Sequence, residues 1–220
     1  MTLPRSLVSI LVLGVLSMTP DLAAWGATDV VFSATPTYQW DASIDAVAYF
    51  LWVGNDDVAA IGRWYSATEL GCANGGTCRV MPDTPLTLGA WRWWVMASDS
   101  SSYSPRSAEA SFAVSAPDTP TLIAPVGAIA TSVPTFQWTS VTGATWYRVL
   151  WFQWSVASGT GLSEWYEASA LGCPAAAQVC ALRAAPALAA GATMWWWVQS
   201  ANPAGASGWS PPAVTVNAGP

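Results

Sequence analysis

The segment Pro36-Thr37-Tyr38-Gln39-Trp40 returns as Pro134-Thr135-Phe136-Gln137-Trp138, and the residues after the first copy are largely repeated after the second. A chain made twice from one unit must give each copy its own core, which narrows the possible architectures sharply. Tyr49 and Tyr147 stand at equal distances after Trp40 and Trp138. Trp64-Tyr65 matches Trp165-Tyr166, Leu70-Gly71-Cys72 matches Leu171-Gly172-Cys173, and Cys78 matches Cys180 after one inserted residue. Leu86 and Gly89 answer to Leu188 and Gly191, and Trp93-Trp94-Val95 to Trp196-Trp197-Val198. Near the end of each unit Tyr103-Ser104-Pro105 aligns with Trp209-Ser210-Pro211. Ala116-Pro117-Asp118-Thr119-Pro120, with two prolines, reads as a short stiff linker at 116–120 between domains at 28–115 and 121–217.

Within a unit the apolar residues alternate, and Gly, Pro, Asn, Asp and Ser break the chain into short segments. Tyr49, Leu51 and Val53 alternate with Ala48, Phe50 and Trp52; Trp91, Trp93, Val95 and Ala97 alternate with Arg92, Trp94, Met96 and Ser98. About seven such strands per unit predict an all-β fold, two tandem antiparallel β-sandwiches. The run from Ala184 to Ala190 has helical propensity, but Pro186 and its match to the Pro85-Leu86 turn predict a loop.

The N-terminus has the order of an export signal. Arg5 gives a positive start, Leu7 to Leu16 an apolar run, and Leu22-Ala23-Ala24 a small-residue exit. Cleavage is expected after Ala24, or after Gly26 as the second choice, so residues 1–24 are set apart from the fold. The apolar run is short for a membrane span, and no membrane insertion is expected once it is removed. The compartment this implies is extracellular or periplasmic. The charge pattern removes other partners: the chain has no Lys, no His and seven Arg against thirteen acidic residues, a net charge of −6. Displacing counterions from phosphates needs cations that are missing here, so no nucleic-acid partner is expected, and anionic lipid headgroups are disfavoured for the same reason.

Four cysteines occur as Cys72-x5-Cys78 and Cys173-x6-Cys180. Three pairings are formally open, and self-contained units leave Cys72–Cys78 and Cys173–Cys180. A closed loop of about seven residues gives about 2.4 kcal/mol in the chain-entropy treatment. Zinc prefers closer cysteine pairs and four ligands in one place, and no Cys-x-x-Cys or cationic neighbour favours a redox-active thiolate. No cofactor or metal is expected.

The ordered landmarks resemble a fibronectin type III domain: Trp late in an early strand, Tyr on the next, Leu-x-x-Gly before an aromatic strand, and Asn202-x-x-Gly205 before the last. They are more closely similar to a Trp-rich bacterial secreted variety of that repeat, with Leu-Gly-Cys, a second Cys and a final aromatic-Ser-Pro. The first unit departs from the pattern, with Asp99-Ser100-Ser101 where the second has Asn-Pro-Ala-Gly. The resemblance implies a secreted recognition or spacer module and does not select a partner.

Sixteen tryptophans exceed what two small cores can hold. Each indole buries about 150–250 Å², so leaving one wet forfeits several kcal/mol at about 25 cal/mol per Å². With Tyr49, Leu51, Trp93 and Val95 inward, Phe50, Trp52 and Trp94 point out, and the resemblance places their strands side by side. The second unit's corresponding strip holds Trp146, Leu150, Phe152, Trp195 and Trp197, and Trp64 and Trp165 lie beside the strips. The candidate surface is therefore Phe50, Trp52, Trp64, Trp94, Trp146, Phe152, Trp165, Trp195 and Trp197. Exposed aromatic strips mark contact surfaces. Packing against further copies or surface proteins is one use, and stacking on sugar rings of a polysaccharide the other. Platforms for single-stranded nucleic acid need a basic groove that is missing.

General acid–base catalysis has no His or Lys to use. The carboxylates Asp41 and Asp45, Asp56-Asp57, and Glu164 and Glu167 could form a pair of the glycosidase kind. They do not recur at aligned positions: Asp41 faces Thr139 and Asp45 faces Gly143. The expectation is a non-enzyme: a recognition and assembly module, with a carbohydrate-binding protein as the alternative and an accessory domain of a secreted hydrolase as a third.

Overall fold

The computed structural model describes residues 10–13 (backbone only), 29–56, 58–154, 159–173 and 178–218. It divides between Ser115 and Ala116 into two units, and all regular structure among the described residues is β. The first unit holds β1 (Ile10–Leu13), β2 (Asp29–Val31), β3 (Thr37–Asp41), β4 (Ala48–Asn55), β5 (Val58–Ser66), β6 (Thr77–Val80), β7 (Gly89–Ser98) and β8 (Ala110–Val114). They form a three-stranded sheet β1-β3-β6 and a five-stranded sheet β2-β8-β7-β4-β5.

The second unit holds β9 (Leu122–Ala124), β10 (Gly127–Ile129), β11 (Thr135–Thr139), β12 (Trp146–Trp154), β13 (Gly159–Glu167), β14 (Val179–Arg183), β15 (Thr193–Asn202), β16 (Gly205–Ala206) and β17 (Ala213–Asn217). The same two sheets return as β14-β11-β9 and β10-β17-β15-β12-β13, with β16 added on β15. Among the described residues only β2–β8 and β10–β17 pair in parallel; the other ladders are antiparallel. This is a fibronectin III-type β-sandwich, twice.

Alternation decides what lies between the sheets. Tyr38, Trp40, Tyr49, Leu51, Val53, Trp93, Val95 and Phe112 are buried in the first unit, and Phe136, Trp138, Tyr147, Val149, Trp151, Trp196 and Val198 in the second. Edge-on ring contacts tie the first core together, as between Tyr38 and Trp93 (5.3 Å) and Trp40 and Tyr49 (5.6 Å). The repeated tyrosine has a polar task as well: the Tyr49 hydroxyl accepts from Ser43 N at 2.7 Å and the Tyr147 hydroxyl from Val141 N at 2.8 Å. Each pins the loop leading into the strand that carries it. Burial is the first cause raising the pKa of both phenols.

Leu-Gly-Cys is a turn. Gly71 and Gly172 take φ of 72° and 70°, where a side chain is strained, and the next residue reaches back through Cys72 N to Ala67 O and Cys173 N to Ala168 O. Cys72 then bonds Cys78 and Cys173 bonds Cys180, as the repeat requires. Cys78 and Cys180 lie opposite Trp40 and Trp138, so each bridge closes over the indole at the heart of its core. Local disulfides of this kind belong to chains that fold in an oxidising compartment.

Residues 184–192 form a loop, not a helix. The segment 116–120, expected as a linker, lies in the second unit: Ser200 donates to Asp118 O and Thr119 to Gly208 O. In the first unit Asp99 replaces β16 with a side-chain turn, accepting from Ser101 N and Ser102 N, and these bonds hold its pKa at about 2. The greatest departure from expectation is β1. Ile10–Leu13 lies within the stretch set apart as an export signal, yet it pairs along β3 from Ile10↔Trp40 to Leu13↔Thr37. A short β-branched and leucine-rich segment meets the hydrogen-bonding needs of an otherwise open sheet edge. The expected cleavage positions Ala24 and Gly26 lie outside the described residues.

Candidate functional site: two outward aromatic faces

The outer face of the first unit's five-stranded sheet is paved by residues that alternate with the core. Register sets Phe50 between Trp64 and Met96, and Trp52 between Gly62 and Trp94. Five rings come one after another: Trp52 stacks on Trp94 (5.7 Å, 11°), Trp94 meets Phe50 (5.8 Å), Phe50 meets Trp64 (5.4 Å) and Trp64 meets Tyr103 (5.5 Å). Arg106 places its guanidinium 5.9 Å from the Trp94 ring. Mutual cover leaves Phe50, Trp52 and Trp94 half-buried, while Trp64 and Tyr103 are 39% and 68% exposed.

Glycine makes this paving possible. A Cβ on Gly54 would sit 2.5 Å from the Trp52 ring, so the indole lies flat where its neighbour has no side chain. Gly62 lets Phe50 lie over it at 3.5 Å, and in the second unit Gly159 and Gly161 underlie Phe152.

The second face is chemically different. Arg148 occupies the position of Phe50, and its guanidinium lies between Trp165 (5.8 Å) and Trp209 (5.5 Å), with Nε donating to Ser163 at 2.9 Å. Both rings attract the cation through their quadrupoles, and both indoles stay partly exposed, at 41% for Trp165 and 38% for Trp209. Farther along, Phe152 contacts Trp154 at 6.4 Å, and Trp195 and Trp197 stand opposite Phe152 and Leu150, half-buried. Trp146 is exposed beside a shallow cleft of about 260 Å³ that includes Glu167 and Ser169. Tyr166 donates to Glu164 at 2.9 Å; burial first, then this bond, pushes the phenol up to about 12.

All nine residues expected on outward faces lie there, but they divide into two groups. Phe50, Trp52, Trp64 and Trp94 touch one another in one strip, whereas Trp146, Phe152, Trp165, Trp195 and Trp197 are spread along a longer face centred on Arg148. Tyr103, Arg106 and Trp209 join these faces from irregular segments without alternation to mark them, whereas Arg148 and Trp154 continue the outward row Trp146, Leu150, Phe152 along β12 and were missed. The structure also corrects the alignment near the end of each unit. Ser107 Oγ accepts from Val95 N, as Ser210 Oγ does from Val198 N; Ser104 Oγ accepts from Ala97 N, as Ser207 Oγ does from Ser200 N. Thus Arg106, not Tyr103, is the counterpart of Trp209. The spacing Ser-x-x-Ser, present in both units, carries that signal.

The carboxylates weighed for catalysis take separate local places or are held by neighbouring hydroxyls. Asp41 ends β3, Asp45 sits in a turn at φ 61°, Glu164 is occupied by Tyr166 and Glu167 by Ser169; Asp57 lies outside the described residues. Among the described residues, no group of three or more potential metal ligands is gathered.

No protein-family model and no curated protein sequence matches the chain. Among solved structures it is similar to the FN1–FN3 domains of chicken CNTN1 at 14% identity and a TM-score of 0.35, covering 86% of this chain and 62% of that one. The chain therefore spans less than two thirds of that structure. The fold assignment stands on the strand order, which places an aromatic face on the outer side of each five-stranded sheet.

Proposed function

We propose that this chain is an exported, non-catalytic recognition and assembly module that works through the outward aromatic faces of its two sandwiches. One observation carries the reading: the unbroken strip Trp52–Trp94–Phe50–Trp64–Tyr103 lies on the solvent side of a sheet whose inner side already holds a complete core. Stability alone does not call for such a strip, because the core of the same unit is closed by Tyr38, Trp40, Trp93 and Phe112. Large flat residues of low side-chain entropy are suited to contact. The test is sedimentation over a concentration series, comparing the chain with Trp94→Ala. The reading expects association that the variant weakens; a strict monomer at high concentration opposes it.

Carbohydrate binding is the second reading, favoured by Trp165 and Trp209, which are 41% and 38% exposed and frame a fixed donor, Arg148. Stacked indoles beside a guanidinium can take the apolar face of a sugar ring and one of its hydroxyls. Quenching of tryptophan fluorescence by a polysaccharide panel, lost in Trp165→Ala, supports it; a flat response across the panel removes it.

A further inference from the structure

The two units differ at one sheet edge. In the second, the outer edge of β11 is covered by β9, which pairs at Gln137↔Ala124 and Trp138↔Leu122. The next residue completes the core: Pro125 O accepts from Trp196 Nε1 at 3.0 Å and from Thr215 Oγ1 at 2.8 Å. In the first unit β2 corresponds to β10, so the counterpart of β9 falls at residues 24–26, where cleavage of the export signal is expected. Trp93, the counterpart of Trp196, is fully buried, and among the described residues its Nε1 has no hydrogen-bond partner. The corresponding edge of β3 is covered instead by Ile10–Leu13, from within the signal itself.

We propose that the outer edge of β3 is a strand-acceptor site, and that in the exported chain a second copy's β3 fills it. The inference rests on the reading of residues 1–24 as a removed signal and deepens the assembly function. Ile10–Leu13 shows what the edge accepts: an extended strand running antiparallel. Two copies of β3 related by a two-fold axis meet antiparallel of necessity. The backbone is aimed correctly. Ala42 N bonds Gly76 O on the β6 side, whereas Thr139 N, the counterpart of Asp41 N, bonds Thr121 O on the open side. By alternation Thr37, Gln39 and Asp41 direct their amides outward from the edge.

Pairing centred on Gln39 sets Thr37 of each copy against Asp41 of the other, a hydroxyl beside a carboxylate with no like charges opposed. The segment Thr37–Asp41 also lacks the Lys, Pro or bulge that guards natural edges.

The experiment uses the chain exported by a host cell. Its N-terminus is read by mass, and its association by sedimentation equilibrium. The expected result is a chain beginning after Ala24 or Gly26 that dimerises reversibly. Thr37→Asp opposes two pairs of like charges and weakens the dimer about tenfold, while Thr37→Lys leaves it as tight or tighter. An excess of the peptide Ser9–Gly14 competes and yields monomers. Retention of residues 10–13 in the exported chain, a strict monomer, or a dimer indifferent to Thr37→Asp and to the peptide each overturns the proposal. Dissociation by Trp94→Ala but not by Thr37→Asp rejects the edge and upholds the face; the reverse pattern does the opposite.

Discussion

Trp93 and Trp196 hold the same position in two copies of one fold, yet among the described residues only Trp196 has a partner for its indole N–H. Replacing each by Phe gives an experiment with its own internal control. Both substitutions remove one ring's worth of packing, about 40 Å³ of cavity at about 24 cal/mol per Å³ plus a similar transfer loss, so about 2 kcal/mol in each unit. The polar terms then diverge. Trp196→Phe also loses a hydrogen bond worth about 1 kcal/mol, although Thr215 still donates to Pro125 O. Trp93→Phe removes a buried N–H that lacks a partner, relieving a penalty of about 1–3 kcal/mol. The expected changes are about 3 kcal/mol of destabilisation in the second unit and, in the first, between about 1 kcal/mol of destabilisation and about 1 kcal/mol of stabilisation. Urea unfolding of the full chain measures both, with each variant moving the transition of the unit that carries it. Equal losses, or a larger loss for Trp93→Phe, would defeat this explanation.

Local geometry gives two further expectations. Gly54→Ala brings a methyl against the Trp52 ring and the Val58 carbonyl, and should destabilise the first unit by about 1–3 kcal/mol in the same unfolding assay while changing the near-ultraviolet dichroism of the Trp52–Trp94 stack. Alkaline stability should track the buried phenols. Burial raises the pKa of Tyr38, Tyr49, Tyr65 and Tyr147, and with the Glu164 bond takes Tyr166 to about 12. Their stabilisation is complete below the unfolded value near 10 and declines as pH rises through 10 toward 12. Tyrosinate absorbance should accordingly appear together with unfolding; its appearance in a still-folded chain would count against this assignment.

Period-two alternation makes the sandwich legible, because burial on one side of a strand fixes every residue on it. That logic places Trp93 inside and Trp94 outside, and the repeat pairs the cysteines without geometry. It does not reach features that depend on irregular backbone. The segment after β7 in the first unit and after β15 in the second has serine hydroxyls standing in for ladder partners, so sequence alone misaligns Arg106 and Trp209. Arg148 escapes notice because a cation in an aromatic row looks like an interruption, and only three dimensions show it held between two indoles. The flat lie of Trp52 depends on Gly54, whose role is to be absent. The edge of β3 is hidden for a different reason: its covering strand comes from a segment whose composition signals export.

If the outward aromatic faces are contact surfaces, hydroxyl-radical footprinting of the exported chain, as a dilute monomer and then in its associated or ligand-bound form, reveals it residue by residue. Oxidation of Trp64, Tyr103, Trp165 and Trp209 should fall on complex formation, while Trp93 and Trp196 stay unreactive throughout. A complex that forms while those four residues remain as reactive as in the monomer would remove the contact role from both faces.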